Sequence, residues 1–220
     1  MNSVGCNKQT WDKLYEKNQN YLEYPNENLV VLSHRHLRTN TKNQKLLDLG
    51  FGSGNNLIYF IKRGYECYGC EISQSSIELT KKRLEDLKLA AELSLFNKEL
   101  PYPDNFFDIV IAWHNLNYND FESLKFEIAE VQRILKPSGV FIGTLVRKND
   151  IIVNWSECIC EKTYKVKTCY PQSGAIVFVV ENDDEIKKIF NMFSELKIGY
   201  HETSFNEIIS SHWIIMGKKK

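Results

Sequence analysis

The stretch Leu46–Asn56, LLDLGFGSGNN, constrains the chain more than any other. An apolar run leads into Asp48, glycines follow at positions 50, 52 and 54, and Asn55 and Asn56 open an apolar segment from Leu57 to Ile61. The pattern predicts a buried strand, a tight turn and a helix start. Glycine supplies positive φ and a bare backbone against which a ligand can lie, and the helix start aims unpaired N–H groups at it. A nucleotide-like molecule fits such a turn. A glycine-rich turn without a ligand has the same local signature, so the neighbouring residues must decide.

Glu71 ends the next apolar run, Tyr65–Ile72. It lies about twenty residues beyond the glycines, where a Rossmann-type unit places the acid that binds ribose hydroxyls. Dinucleotide sites carry their third glycine one residue later to admit a pyrophosphate; here position 55 is Asn. An acid, Asp48, also precedes the first glycine by two positions. These residues resemble the first motif of the class I S-adenosylmethionine-dependent methyltransferases, an acid followed by G-x-G-x-G. Two further passages are similar to that family: LPYPDNFFDIVIAW, Leu100–Trp113, and LKPSG, Leu135–Gly139. The resemblance is motif-specific from about Leu46 to Leu145.

That resemblance implies a Rossmann-like α/β fold, with a mostly parallel sheet, an antiparallel terminal strand and helices on both faces. It implies S-adenosylmethionine as cofactor, with Asp48, Gly50, Phe51, Gly52 and Gly54 wrapping its amino-acid half. Glu71, with Ile72 beside it, would hold the ribose, and Ala112 and Trp113 would touch the cofactor from the end of the fourth strand. Where many relatives have an Asp for the adenine amino group, this chain has Phe96 and Asn97. Asn97 can accept that bond without charge. Tyr15 and Tyr21, in an aromatic N-terminal segment, would fold over the site in the manner of small-molecule methyltransferases, although aromatics of this kind also simply pack on a sheet edge.

With 220 residues, 43% of them hydrophobic, the chain can bury one core without a second domain. Within that single domain, residues 1–43 are expected to form a helical cap, 44–147 the cofactor-binding core, 148–180 an insertion or lid, and 181–220 the completion of the sheet. Lysine plus arginine equals aspartate plus glutamate at 28 each, so no global field favours nucleic acid or an anionic membrane. No apolar run reaches membrane-span length and the first residues lack the apolar core of a leader, so a cytoplasmic location is expected.

Six cysteines include two close pairs, Cys67 with Cys70 and Cys158 with Cys160. The first pair lies on a predicted strand, where residues three apart face opposite sides, and the second lacks a matching pair at zinc-site spacing. No metal is expected. The core is read as strands at Lys45–Leu49, Cys67–Glu71, Leu93–Phe96, Phe107–Trp113 and Val140–Val146, with helices between. The Lys136–Gly139 segment should be a turn, and beyond Arg147 a helix over Asp184–Leu196 should precede strands near Lys197–Ser204 and His212–Gly217.

Methyl transfer from a sulfonium is an in-line displacement, for which a protein supplies alignment, desolvation and somewhere for a proton to go. Open parallel sheets bind ligands outside the carboxyl ends of their strands, which directs attention to WHNLNY, Trp113–Tyr118. His114 is the candidate proton acceptor or positioning group, and it can equally only pack. Asn115, Tyr118, Tyr21 and Arg147 are candidate acceptor-binding residues, while His34, His36, His201 and His212 are read as remote and structural. Strand four ends without the Asn/Asp-Pro-Pro-aromatic quartet of base-amino methyltransferases and without a Pro-Cys nucleophile, and no paired-glutamate loop is found. A small-molecule acceptor remains, lipid-like or sugar-type. Two alternatives stay open: a cofactor-binding protein of this type without turnover, and an NAD-linked oxidoreductase, against which the glycine spacing counts.

Overall fold

Strand β1, Lys45–Leu49, sits at the centre of the sheet because both of its faces are apolar. In the computed structural model, which describes residues 3–37, 41–96 and 99–220, Leu46 packs into one layer while Leu47 and Leu49 pack into the other. Strand β2, Glu66–Glu71, and β4, Phe107–Ala112, pair with β1 in parallel on either side. Strand β3, Glu92–Leu95, extends the sheet beyond β2, and β5, Leu135–Arg147, extends it beyond β4, again in parallel. Helix α3, Asn55–Lys62, covers one face, with Leu57 and Phe60 against Leu46, Ile109 and Ile111. Helix α5, Phe121–Ile134, covers the other, with Leu124, Ile128 and Val131 against Leu47, Val110 and Ala112. Helix α4, Gln74–Asp86, returns from β2 to β3, and Ser73 caps it by accepting from the Ser76 amide.

The sheet closes with a long hairpin, β9, Phe193–Phe205, and β10, Ile208–Lys219. β10 is antiparallel to both β5 and β9 and lies between them. Between β5 and this hairpin the chain forms a short helix, α6, Ile151–Asn154, and three antiparallel strands, β6, Ser156–Cys160, β7, Thr163–Val166, and β8, Ile176–Val180. β8 joins the end of β5 in parallel through Val146 with Val179 and Arg147 with Val180. This excursion therefore branches from the carboxyl edge of the main sheet, where ligands of such folds bind.

Two expectations are corrected. The helix expected to reach Leu196 is α7, Asp183–Ile189, and β9 already begins at Phe193. Phe190 and Phe193 have helical spacing in the sequence, yet both pack against Phe141 of β5, and the chain turns between them to bring both rings inward. The Lys136–Gly139 turn is absorbed into β5 as an irregularity in its pairing with β4, with Ser138 at φ 61°. Cys67 and Cys70 do pack on opposite faces of the sheet.

Helix α1, Ser3–Glu16, crosses the carboxyl edge and is fastened at both ends of its span. Asn7 donates to the carbonyls of Tyr118 (2.6 Å) and Ile176 (3.2 Å) and accepts from the Ile176 amide (2.7 Å). Asp12 accepts from Ser73 Oγ (2.7 Å) at the start of α4. Helix α2, Glu27–His36, follows an Asn26 cap and buries Leu29 and Ser33. Replacing Asn7 by Ala strands three buried backbone partners, so Asn7→Ala is expected to lower stability by about 1–3 kcal/mol in denaturant unfolding. Hydrogen exchange should then rise first in α1; unchanged protection of α1 would show that other contacts hold it.

Candidate functional site

The glycine turn is fixed from two sides before any ligand is considered. Glu71 Oε2 accepts from the Gly52 amide (3.0 Å), and Ser76 and Thr80 of α4 donate to the Gly52 carbonyl (2.5 and 3.0 Å). The other Glu71 oxygen accepts from the amides of Ile72 (2.7 Å) and Ser73 (3.2 Å). Glu71 thus uses three of about four acceptor positions on the backbone, and the remaining capacity is on Oε2. Burial raises its carboxyl pKa, and these three amides pull it back down.

All three glycines have positive φ, but their missing side chains make room for three different neighbours. A Cβ on Gly50 would strike the Asn115 side chain, one on Gly52 the Tyr15 hydroxyl, and one on Gly54 the Thr80 side chain at 2.6 Å. Asp48, 1% exposed, lies beneath this turn. Its Oδ2 has no hydrogen-bond partner, while the amide of Leu57 in α3 stabilises its ionised form. Burial first, and the Glu71 charge second, push its pKa up to about 7.

A cleft of about 260 Å³ opens above the turn. Gly50, Phe51, Gly52, Glu71, Ile72 and Phe96 form its floor and one side, and Trp113, His114, Asn115 and Tyr118 form the facing side. Helix α1 adds Trp11 and Tyr15 as a roof. The Trp11 ring meets Tyr118 edge-on at 4.7 Å, and Asn20 donates to the Tyr15 hydroxyl (2.9 Å). Burial raises the pKa of both Tyr15 and Tyr118, so both are neutral phenols near pH 7. Residues 20–26 strap the turn from outside: Leu22 exchanges bonds with Ser53, and Asn26 donates to Asn56 (2.9 Å).

Of the residues expected at the site, Asp48 sits beneath the cleft, and Gly54 faces α4 instead of the cavity. Ala112 is fully buried in the layer beneath α5. Tyr21 stands apart, its ring 4.7 Å from the Arg83 guanidinium beside a second, separate depression. Arg147 is occupied elsewhere, donating to Glu202 (3.1 Å) and Ser211 (3.0 Å) with Tyr200 and Trp213 against its guanidinium. Asn97 lies outside the described residues.

Two features were not anticipated. Glu127 of α5 lines the cleft and accepts from Asn115 (2.7 Å) and Asn119 (2.6 Å), its pKa pushed up by burial to about 6. A signal existed: Glu127 falls on the apolar stripe Leu124, Ile128, Val131, where an unpaired acid is out of place. The second is that His201 and His212 are not remote. The His212 ring stacks on His114 at 4.2 Å and His201 on His212 at 5.4 Å. Only the pairing of β9 with β10 and of β10 with β5 brings them there, and no local pattern announces it.

The arrangement is a ligand cleft at the carboxyl edge of a parallel sheet, with an acid at the end of β2 and a glycine turn after β1. Residues 47–143 match the family model of a methyltransferase domain. That span holds the glycine turn, Glu71 and the strand-four exit, so the likeness to a methyltransferase domain falls on the residues that build the cleft. A ubiquinone/menaquinone biosynthesis C-methyltransferase from Psychromonas ingrahamii is 31% identical over 44% of this chain and 41% of its own length, so the match spans about two fifths of that relative. The fold is similar to that of the 1,6-didemethyltoxoflavin-N1-methyltransferase of Burkholderia thailandensis, with TM-score 0.75 and 12% identity over 98% of this chain and 88% of that one. It is also similar to the [4+2]-cyclase SpnF, with TM-score 0.61 and 16% identity over 86% and 78%. The methyltransferase domain match counts against the NAD-linked alternative, whereas the cyclase shows that this fold alone does not fix a reaction. Among the described residues no helix is long and apolar enough to cross a membrane.

Asp48 gives the domain a pH signature. Its folded pKa, about 7, lies above the ordinary 3.8, so its contribution to stability is full below about pH 4 and is lost as pH rises through 7. Glu71 shifts in the same direction. Asp48→Asn removes the first of these costs, so its stability relative to the wild type in denaturant titrations should be higher at pH 8 than at pH 5. A difference of a few kcal/mol is expected, about 1.4 kcal/mol per pH unit traversed. Parallel pH profiles for the two proteins would refute the buried charge at Asp48.

Proposed function

We propose that the chain binds S-adenosylmethionine in this cleft and methylates an oxygen or nitrogen of a small-molecule acceptor by in-line transfer. The observation that carries the reading is the coincidence of the methyltransferase domain match with a glycine turn and Glu71 that face Trp113, His114, Asn115 and Tyr118 across one cavity, with Asp48 buried beneath the turn. The residues suit the cofactor. Asp48 keeps a buried carboxylate oxygen without a partner beneath the turn, a local negative charge; Gly50 and Gly52 leave backbone bare; and Glu71 retains acceptor capacity for a hydroxyl. When bound, S-adenosylmethionine supplies an electrophilic methyl group.

The chain's own residues would do the rest. Trp11 and Tyr15 exclude water from above, which strengthens every polar contact below them. Asn115 is oriented by Glu127, and together with Tyr118 it offers polar contacts to an acceptor. His114 stands in the same wall and holds the acceptor atom in line or takes its proton. Glu127 favours a second assignment of the proton acceptor, because burial has already moved its pKa to about 6, near working pH. The segment 148–180 and α1 act together as the cover of the acceptor side, since Asn7 and Thr10 of α1 bond to Ile176 and Ser173.

Calorimetric titration with S-adenosylmethionine, S-adenosylhomocysteine and NAD tests the cofactor. The first two should bind and NAD should not. Glu71→Ala should weaken binding by about one to two decades, the worth of a charge-assisted hydrogen bond, and Gly52→Val should abolish it. Affinity for the two sulfur cofactors should fall as pH drops below 7, where Asp48 holds a proton that a cationic group must displace. Unchanged affinity in Glu71→Ala, or NAD binding in preference, would overturn the reading.

An acceptor screen then separates turnover from binding alone. With an acceptor in hand, His114→Gln and Glu127→Gln should retain cofactor affinity, and the residue that takes the proton should lose about a hundredfold or more in turnover. Full turnover in both variants would show that the acceptor needs no proton taken by either. Cofactor binding without transfer to any acceptor tested would favour the non-turnover alternative.

A further inference from the structure

Three imidazoles meet at the carboxyl edge of the sheet, beside the cleft wall. His201 of β9 and His212 of β10 are directly paired across the hairpin. His114 leaves β4 at φ 56°, with its amide donating to Thr144 Oγ1 of β5 (2.7 Å), which turns the ring toward them. Each residue offers one ring nitrogen, and these nitrogens lie within 4.8 Å of one another.

Buried polar atoms normally have partners. Here His114 Nε2, His201 Nε2 and His212 Nδ1 are all buried without a hydrogen bond. Three such atoms in one cluster form a demand that one ligand could meet. Behind them, Asp150 Oδ2 lies 3.6 Å from His212 Nδ1, and its carboxylate is itself held by the amides of Ser211 (2.7 Å) and Ile152 (2.9 Å). Because that carboxylate stands on the same ring edge as the unpartnered Nδ1, it would offset part of the charge of an ion bound there. The rings stack face to face, with the Trp113 indole against His114 and His201, so no ring N–H aims at a neighbouring ring nitrogen to relay a proton.

We propose that His114, His201 and His212 bind one divalent transition-metal ion, with Zn²⁺ as the type case and the Asp150 carboxylate as a neighbouring counter-charge. Neutral imidazoles suit zinc, cobalt, nickel or copper, whereas magnesium and calcium demand oxygen ligands that this cluster lacks. Zinc–nitrogen bonds of about 2.0–2.1 Å in a tetrahedron place ligand nitrogens about 3.3 Å apart, so loading draws the rings together by about 1.5 Å and turns them out of their stack. Three protein ligands leave a fourth position open, and His114 lines the cleft, so the ion would sit beside the acceptor side. There the ion would hold an acceptor oxygen or nitrogen and ease its deprotonation; this role rests on the methyltransferase reading, while the ion site does not.

The test is titration of the metal-stripped 220-residue chain with Co²⁺ alone, followed by visible absorption, and with Zn²⁺ against a chromophoric chelator. One equivalent should bind, with the d–d bands of a four-coordinate nitrogen and oxygen site and no thiolate charge-transfer band. His201→Ala and His212→Ala should each weaken binding at least tenfold, with His34→Ala, on the exposed side of α2, unchanged. Circular dichroism checks that each variant is folded, and if His212→Ala is not, the half-buried His201 and the wild-type spectrum decide. Absence of stoichiometric uptake, a thiolate spectrum, or unweakened binding in a folded His201→Ala overturns the proposal. A parallel S-adenosylhomocysteine titration on the same metal-free sample keeps the two readings apart: cofactor binding without metal uptake defeats only the ion site, and metal uptake without cofactor binding defeats only the methyltransferase reading.

Discussion

The contact between the Glu71 carboxylate and the Gly52 amide holds the site together. It ties the end of β2 to the turn after β1. The same carboxylate caps the backbone entering α4, and α4 returns two hydroxyls to the other side of the same glycine. A buried carboxylate is costly unless hydrogen-bonded, and its three amides are the compensation. Glu71 is consequently both a wall of the cleft and a structural member of the turn, and its chemistry toward a ligand is limited to what its remaining acceptor capacity allows.

From this fixed floor the rest of the site is assembled by chain segments that are far apart in sequence. Helix α1 supplies the roof and is anchored to the start of α4 by Asp12 and to β8 by Asn7. The strand exit after β4 supplies the facing wall, and α5 supports it through Glu127. Two buried acids, Asp48 beneath the cleft and Glu127 in its wall, have raised pKa values from desolvation. A cationic ligand in the cleft relieves that strain, whereas an anionic one would add to it.

Much of this was legible in the residues because it is local. The glycines, Asp48 and Glu71 lie within one strand–turn–helix–strand unit, and the double-faced apolar strands around them require a covered parallel sheet. The Ser73 cap and the split of Cys67 and Cys70 between faces follow from the same short-range rules. What escaped is what depends on pairing at long range. His201 and His212 reach His114 only through β5, β10 and β9, and Arg147 finds Glu202 by the same route. The end of α7 escaped for a different reason: Phe190 and Phe193 satisfy a helical repeat in the sequence, and only the position of Phe141 shows that the chain must turn between them.

The three glycines carry a consequence for how such a sequence can diverge. Each keeps its side chain absent on behalf of a different partner: Asn115 for Gly50, Tyr15 for Gly52, and Thr80 for Gly54. The spaces belong to the strand-four exit, the N-terminal helix and α4 respectively. Each partner is therefore bound to its own glycine as a pair, and the left-handed backbone makes the glycine the less replaceable member. Drift at these sites should run through the partners, with positions 15, 80 and 115 restrained from becoming larger. Lineages that lose the N-terminal helix would lose the steric reason for glycine at 52 and retain only the conformational one.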